Sequence, residues 1–191
     1  MRSYFSFLPW IMLFLIPAIT MRLWSEERKQ GTTELLFTWP IKPYEPVVGK
    51  FLASLIFMAI ALALTITIPL SIASIGSLDW GIVIASYLGS LFLAGAFLAI
   101  GLWVSGLTDN QIIAFILAIA CCFAVFIVGE PIVTYSLPAL ITPAVQFLGI
   151  GYHFNSIARG VLDTRDIIYY VSVIALFLYL NAQSIGARSW K

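Results

Sequence analysis

Between one charged residue and the next, this chain repeatedly runs for about the length that crosses a lipid bilayer. Uncharged stretches extend from Ser3 to Met21, Phe51 to Leu78, Trp80 to Thr108, Asn110 to Gly129, Pro131 to Ala158 and Ile167 to Ala187. A spanning helix needs ~20 mostly apolar residues. Lipid offers no partner to a peptide group, so each true span is expected to be helical. A chain with 61% hydrophobic and 10% charged residues has too little polar surface to cover a soluble core of this size. The net charge of +1 gives no basis for binding nucleic acid by bulk electrostatics. The expectation is an all-α integral membrane protein, a single polytopic helical bundle with about five full spans.

The fifth stretch differs from the rest. It holds Pro131, Pro138, Pro143, Gly149 and Gly151, with Gln146, His153 and Asn155 among them. Proline removes a helix donor and clashes with the preceding turn. Broken backbone is tolerated at membrane depth only where protein or a water-filled cavity covers it. Two short helices that dip in and return, over about 131–162, are therefore expected in place of a sixth crossing. The full spans then fall at about 4–24, 48–75, 80–105, 110–129 and 166–187.

The two cysteines, Cys121 and Cys122, are adjacent in an apolar run. Neighbours on a helix point about 100° apart, so they do not bridge readily and read as small buried hydrophobes. No Cys/His spacing suggests a metal site. The N-terminus carries Pro9 and Pro17 in its apolar run and shows no small-x-small cleavage pattern, so it reads as a span that stays.

Arg22, Arg28, Lys29, Lys42 and Lys50 make the first long loop the most basic segment, which places it in the cytoplasm. The Gly76–Asp79 turn is then outside, Gly106–Asn110 inside and Glu130 outside. A re-entrant segment puts 159–166 outside and Lys191 inside, although Arg159 and Arg165 favour the reverse. Residue 1 falls outside, and the expectation is that a helix precedes it in the natural protein.

Within that loop, Ser25–Gln30 extends the first helix into water and Gly31 ends or bends it. Thr32 and Glu34 suit the first turn of a new helix. Leu35, Leu36, Phe37 and Trp39 make this helix, about 32–39, amphipathic and apolar, and Pro40 stops it. Such a helix either lies among lipid headgroups or docks into a groove of a cytoplasmic partner.

The run Pro17-Ala-Ile-Thr-Met-Arg, then Glu26-Glu27, Gly31-Thr32, Glu34-Leu35-Leu36, Pro40 and Gly49-Lys50, resembles the permease subunit of type-2 ABC exporters, most closely the gliding-motility branch. Asp109-Asn110-Gln111-Ile112 and Ala114-Phe115 resemble it too. The resemblance covers nearly the whole chain. It implies that residues 32–39 are a coupling helix seated in an ATPase subunit. Thr33, Glu34, Leu35, Leu36 and Phe37, with Glu26 and Glu27, would then form the ATPase-binding surface. It implies a re-entrant hairpin before the last span, read here as a lid over the substrate path with His153 and Asn155 facing water or cargo. It further implies two copies of an ABC ATPase, a second permease subunit (identical or related), a lipid bilayer as surroundings and a multi-pass position in the inner (plasma) membrane. Family members carry six spans and a cytoplasmic N-terminal helix; this sequence lacks the first span and that helix.

Chemistry within the chain is not expected. Gly49-Lys50 has no glycine five positions earlier and is followed by Phe51, so no Walker A loop exists, and ATP and Mg belong to a partner. Glu26-Glu27 lacks the arginine, at Gly31, that a paired-glutamate membrane protease needs. Ser105 with His153 would form a dyad only across the membrane. The rival to an exporter subunit is a non-transporting membrane scaffold that uses the same loop to recruit partners. Gly89, Gly95 and Gly101 mark close helix packing in the third span, within the subunit or across a dimer.

Overall fold

A computed structural model of the chain describes residues 2–32, 42–76, 78–135, 138 and 140–186. Those residues form helices and connecting turns, with no strand among them. In order the helices are α1 (Arg2–Lys29), α2 (Tyr44–Leu64), α3 (Thr67–Ala73), α4 (Trp80–Ser105), α5 (Gln111–Ile127), α6 (Pro131–Thr134), α7 (Thr142–Leu148), α8 (Ile150–Ile157) and α9 (Thr164–Gly186). Among the described residues four runs are long and apolar enough to cross a membrane: Tyr4–Lys29, Tyr44–Ala73, Trp80–Ser105 and Thr164–Gly186. At 17 residues α5 sits at the short end of the spanning range. The protein is an all-α polytopic membrane protein.

Local chemistry sets several helix ends. Asp79 caps α4 by accepting from the Gly81 and Ile82 N–H groups, and Asn110 caps α5 through Ile112 and Ile113. Gly31 follows α1 at φ 71°, a left-handed turn that a Cβ would strain. The run expected as one span over 48–75 is interrupted at Thr65–Ile66 between α2 and α3. Pro69 has no N–H to offer the Thr65 carbonyl four residues back, so the ladder cannot continue unbroken there.

The bundle is built around α4, whose Leu93–Gly101 stretch is buried on every side. Its three spaced glycines each admit a different neighbour of the same chain. A Cβ on Gly89 would stand 2.7 Å from Ile157 Cγ2 on α8, and one on Gly95 would stand 3.0 Å from Ile174 Cδ1 on α9. One on Gly101 would overlap the Thr20 hydroxyl of α1. These glycines pack helices within the subunit, which settles the alternative that the sequence left open.

Long helices that follow one another in the chain run in opposite directions. The ends of α1 and α4 meet the start of α2 and the α4–α5 turn, through Trp24–Ser105, Glu27–Lys50 and Arg28–Asp109. The end of α9 returns to the same place, where Asn181 faces Gly106 and Gly186 faces Pro43. So α5 leads away from this end and α9 leads back to it. Residues 128–163 therefore begin and finish at the opposite end of the bundle.

Candidate functional site

Two clusters of polar side chains sit where helical ladders end, one at each end of the bundle. The first roots the long loop. Lys50 on α2 pairs with Glu27 on α1 (Nζ to Oε2, 2.6 Å), lies 3.7 Å from the centroid of the Trp24 ring and donates to the Leu23 carbonyl. Arg28 donates from Nη1 to the Gly106 carbonyl at 2.6 Å and pairs through Nη2 with Asp109 at 2.7 Å. The Gly106 carbonyl belongs to the C-terminal end of α4, where a cation complements the helix dipole. Ser105 Oγ accepts from the Trp24 and Ser25 N–H groups and donates to the Met21 carbonyl at 3.0 Å. Its proton is thus directed at a backbone acceptor with no base in contact, as a structural serine and not a nucleophile. Glu26 pairs with Arg22 at 3.0 Å, one turn away on the exposed face of α1.

Of the residues expected to meet an ATPase, Glu26 and Glu27 are therefore both engaged within the chain, and both remain partly open to solvent. Thr33, Glu34, Leu35, Leu36 and Phe37, and with them the coupling helix, lie outside the described residues.

The second cluster holds the broken segment. Gly149 is extended (φ −81°, ψ 123°) and separates α7 from α8. The backbone there touches the end of α5: a Cβ on Gly129 would stand 2.8 Å from Gly149 Cα, and one on Gly149 would overlap the Gly129 backbone. Glu130 accepts from Asn155 Nδ2 at 3.0 Å and lies where a Cβ on Gly151 would be. Burial pushes the Glu130 carboxyl above its usual range, against the opposing effect of the Asn155 bond.

The bend leaves the last carbonyls of α7 without helical partners, and side chains supply donors there and to the first carbonyl of α8. His153 Nε2 lies 2.9 Å from the Phe147 carbonyl, Tyr169 OH donates to Leu148 at 2.5 Å, and Tyr170 OH donates to Ile150 at 3.1 Å. Asp166 Oδ1 lies 2.6 Å from His153 Nδ1. His153 and Tyr169 stack with centroids 3.9 Å apart. The expectation that His153 faces water or cargo is overturned, since the side chain is 1% exposed and spent on holding the bend. Asn155 is exposed.

Sequence reasoning missed Asp166, Tyr169 and Tyr170. They follow Thr164 at the start of α9, three and four residues apart, which puts them on one helix face. That spacing was a usable signal, but nothing in the sequence says that this face meets residues 147–153. Cys122 is buried and Cys121 half-buried, both as free thiols. Among the described residues no group of three or more His, Cys, Asp or Glu could hold a metal ion.

The cluster at the loop ties α1, α2 and the α4–α5 turn into one joint. The family model described as ABC-2 family transporter protein matches residues 4–188. The chain belongs to that family. It is a membrane subunit of an ABC transporter, a transport protein of a generally non-catalytic kind that associates with an ABC ATPase. No curated protein matches the chain.

Proposed function

We propose that this ABC-2 subunit is the permease half of an exporter and converts ATP hydrolysis by a separate ATPase into helix movement. The observation that carries the reading is the joint at the base of the loop. The loop leaves α1 just after Glu27 and Arg28 and re-enters the bundle shortly before Lys50. Because Glu27 is bound to Lys50 and Arg28 to Asp109 and Gly106, a force on residues 33–39 reaches α1, α2 and the end of α4 together. In this reading the segment is a coupling helix, with Leu35, Leu36 and Phe37 in an ATPase cleft and Thr33 and Glu34 at its first turn. Glu26 and Glu27 tune the contact from the α1 side. Two such subunits, identical or related, would pair with two ATPase subunits that supply the ATP and Mg site. In this reading the chain itself binds no cofactor. The family resemblance favours the gliding-motility branch and the inner membrane.

Residues 131–162 form the re-entrant lid in the same reading. The support is that both of their ends lie at one end of the bundle and that the bend at Gly149 is packed against the end of α5 and against α9. An apolar lateral path would suit lipid-like or polymeric cargo.

The test is recovery of the ATPase with the permease. Burial of apolar side chains contributes about 1.5–3 kcal/mol each, so Leu36→Asp should abolish co-purification of a co-expressed ABC ATPase while membrane insertion persists. Undiminished recovery would remove the docking role. A cysteine at Gly31 should react with an impermeant thiol reagent from the cytoplasmic side, and one at Ser77 from the other; the reverse pattern would overturn the orientation.

A further inference from the structure

The contacts of His153 require more protons than a neutral histidine beside an ionised aspartate possesses. Nε2 faces the Phe147 carbonyl at 2.9 Å, and a carbonyl only accepts. That nitrogen therefore carries a hydrogen. Nδ1 faces Asp166 Oδ1 at 2.6 Å, and a carboxylate also only accepts. A hydrogen must lie in that contact as well. A neutral imidazole has one N–H, so with an ionised Asp166 one of the two contacts would set lone pair against lone pair. Exchanging the tautomer moves the conflict to the other nitrogen and does not remove it. The pair thus holds one further proton and is uncharged as a unit.

The surroundings offer that proton no substitute. His153 is 1% and Asp166 5% exposed. Among the described residues no Lys or Arg pairs with Asp166, and its Oδ2 has no hydrogen-bond partner. From α9, the Tyr169 and Tyr170 hydroxyls are directed at the Leu148 and Ile150 carbonyls, so neither is free to neutralise Asp166. On α8 itself, Tyr152 meets the imidazole through ring edges at 5.6 Å. From the end of α5, Glu130 faces Gly151 and Asn155. From α4, the packed groups are Phe92 on Tyr170 and Gly89 on Ile157, all uncharged. Loss of the proton would leave either the Phe147 carbonyl or the buried carboxylate without a donor and the carboxylate without a counter-charge, an arrangement that interiors strongly disfavour. The Tyr169 ring, stacked at 3.9 Å and 20°, favours the imidazolium form through its π face.

We propose that His153 and Asp166 form a proton-binding site that seats the α7–α8 hairpin on α9, with the bound proton on His153 Nδ1. With the proton present, the pair bridges Phe147 on α7, His153 on α8 and Asp166 on α9. Once the proton leaves, the Phe147 carbonyl or the carboxylate loses its donor, and the hairpin lifts at Gly149. The proposal does not depend on the exporter reading, since it concerns the seating of this segment alone.

His153 is the sole histidine in the sequence, which makes a direct observation possible. The full chain, purified in micelles with an affinity tag free of histidine and carrying ring-15N histidine, should show two protonated ring nitrogens at neutral pH. Asp166→Asn should show one protonated and one bare nitrogen under the same conditions. A neutral imidazole in the wild-type chain, or an imidazolium that survives in Asp166→Asn, would overturn the site. Seating is read separately, in a Cys121→Ala, Cys122→Ala background, by labelling a cysteine placed at buried Ile157 and normalising to one placed at exposed Leu148. As pH is raised until the imidazolium signal disappears, normalised labelling should rise ~10-fold, the size expected for loss of a buried hydrogen bond. His153→Gln keeps a donor for Phe147 but no titrating proton, and its normalised labelling should not change over that pH range. Glu130→Gln should leave the wild-type pH response intact. Labelling that ignores the imidazolium signal, or that follows Glu130, would overturn the seating role even if one variant failed to fold.

Discussion

At one end of the bundle, helix ends are held by charges that reach water; at the other, by tyrosines and a histidine that do not. Arg28 closes the Gly106 carbonyl while its partner Asp109 stays mostly exposed, and Lys50 spans Glu27, the Leu23 carbonyl and the Trp24 face. Around Gly149 the carbonyls beside the bend are met by Tyr169, Tyr170 and His153, all less than a tenth exposed. The difference follows from the solvent. Near water a full charge can serve a carbonyl because its remaining hydration is kept. In the interior an unpaired charge is too costly, so neutral hydroxyls and a charge-balanced pair take its place. The loop end should therefore respond to salt and the hairpin end to shape and protons.

The largest effect is expected at the hairpin. Gly149→Val would drive a branched side chain into the Gly129 backbone, which cannot move aside as a flexible side chain can. Destabilisation should reach or pass the top of the ~1–3 kcal/mol range for overpacking, measured by thermal unfolding in micelles. A melting temperature within a degree of wild type would mean that the two glycines do not touch.

At the loop end, Lys50→Met keeps the stem and removes the charge. Loss of the Glu27 pair and the Trp24 contact together should amount to about 1–2 kcal/mol. The defect should shrink as salt is raised towards 1 M, where screening acts within ~3 Å. A defect equal at low and high salt would break the contrast between the two ends.

Tyr170→Phe should cost about 1 kcal/mol, the net value of one buried hydrogen bond, and that loss should not vary with salt. Smallest of all, Arg22→Ala removes an exposed pair one helical turn long, and about 0.5 kcal/mol or less is expected. If Arg22→Ala matched Lys50→Met in stability, position within the joint would count for nothing.

The sequence by itself determined the class of protein, because lengths of uncharged apolar chain are set by bilayer thickness and need no tertiary knowledge. It also determined local features: Gly31 as the end of the first helix, and a broken segment where Pro138, Pro143, Gly149 and Gly151 accumulate. These features depend on neighbours a few residues away. Only the tertiary structure decided what the polar residues do. His153 looked available to water because its own segment is polar and interrupted, yet it is enclosed by α9, whose Asp166 lies 13 residues further on. Lys50 read as one more basic loop residue until α1 placed Glu27 and Trp24 around it. The glycines of α4 announced close contact, but not with whom; Ile157, Ile174 and Thr20 became their partners only when three other helices of the chain folded against them. Hydrophobic length is a property of one segment, whereas the pairing of a buried donor with its acceptor is a property of two, and only packing brings the two together.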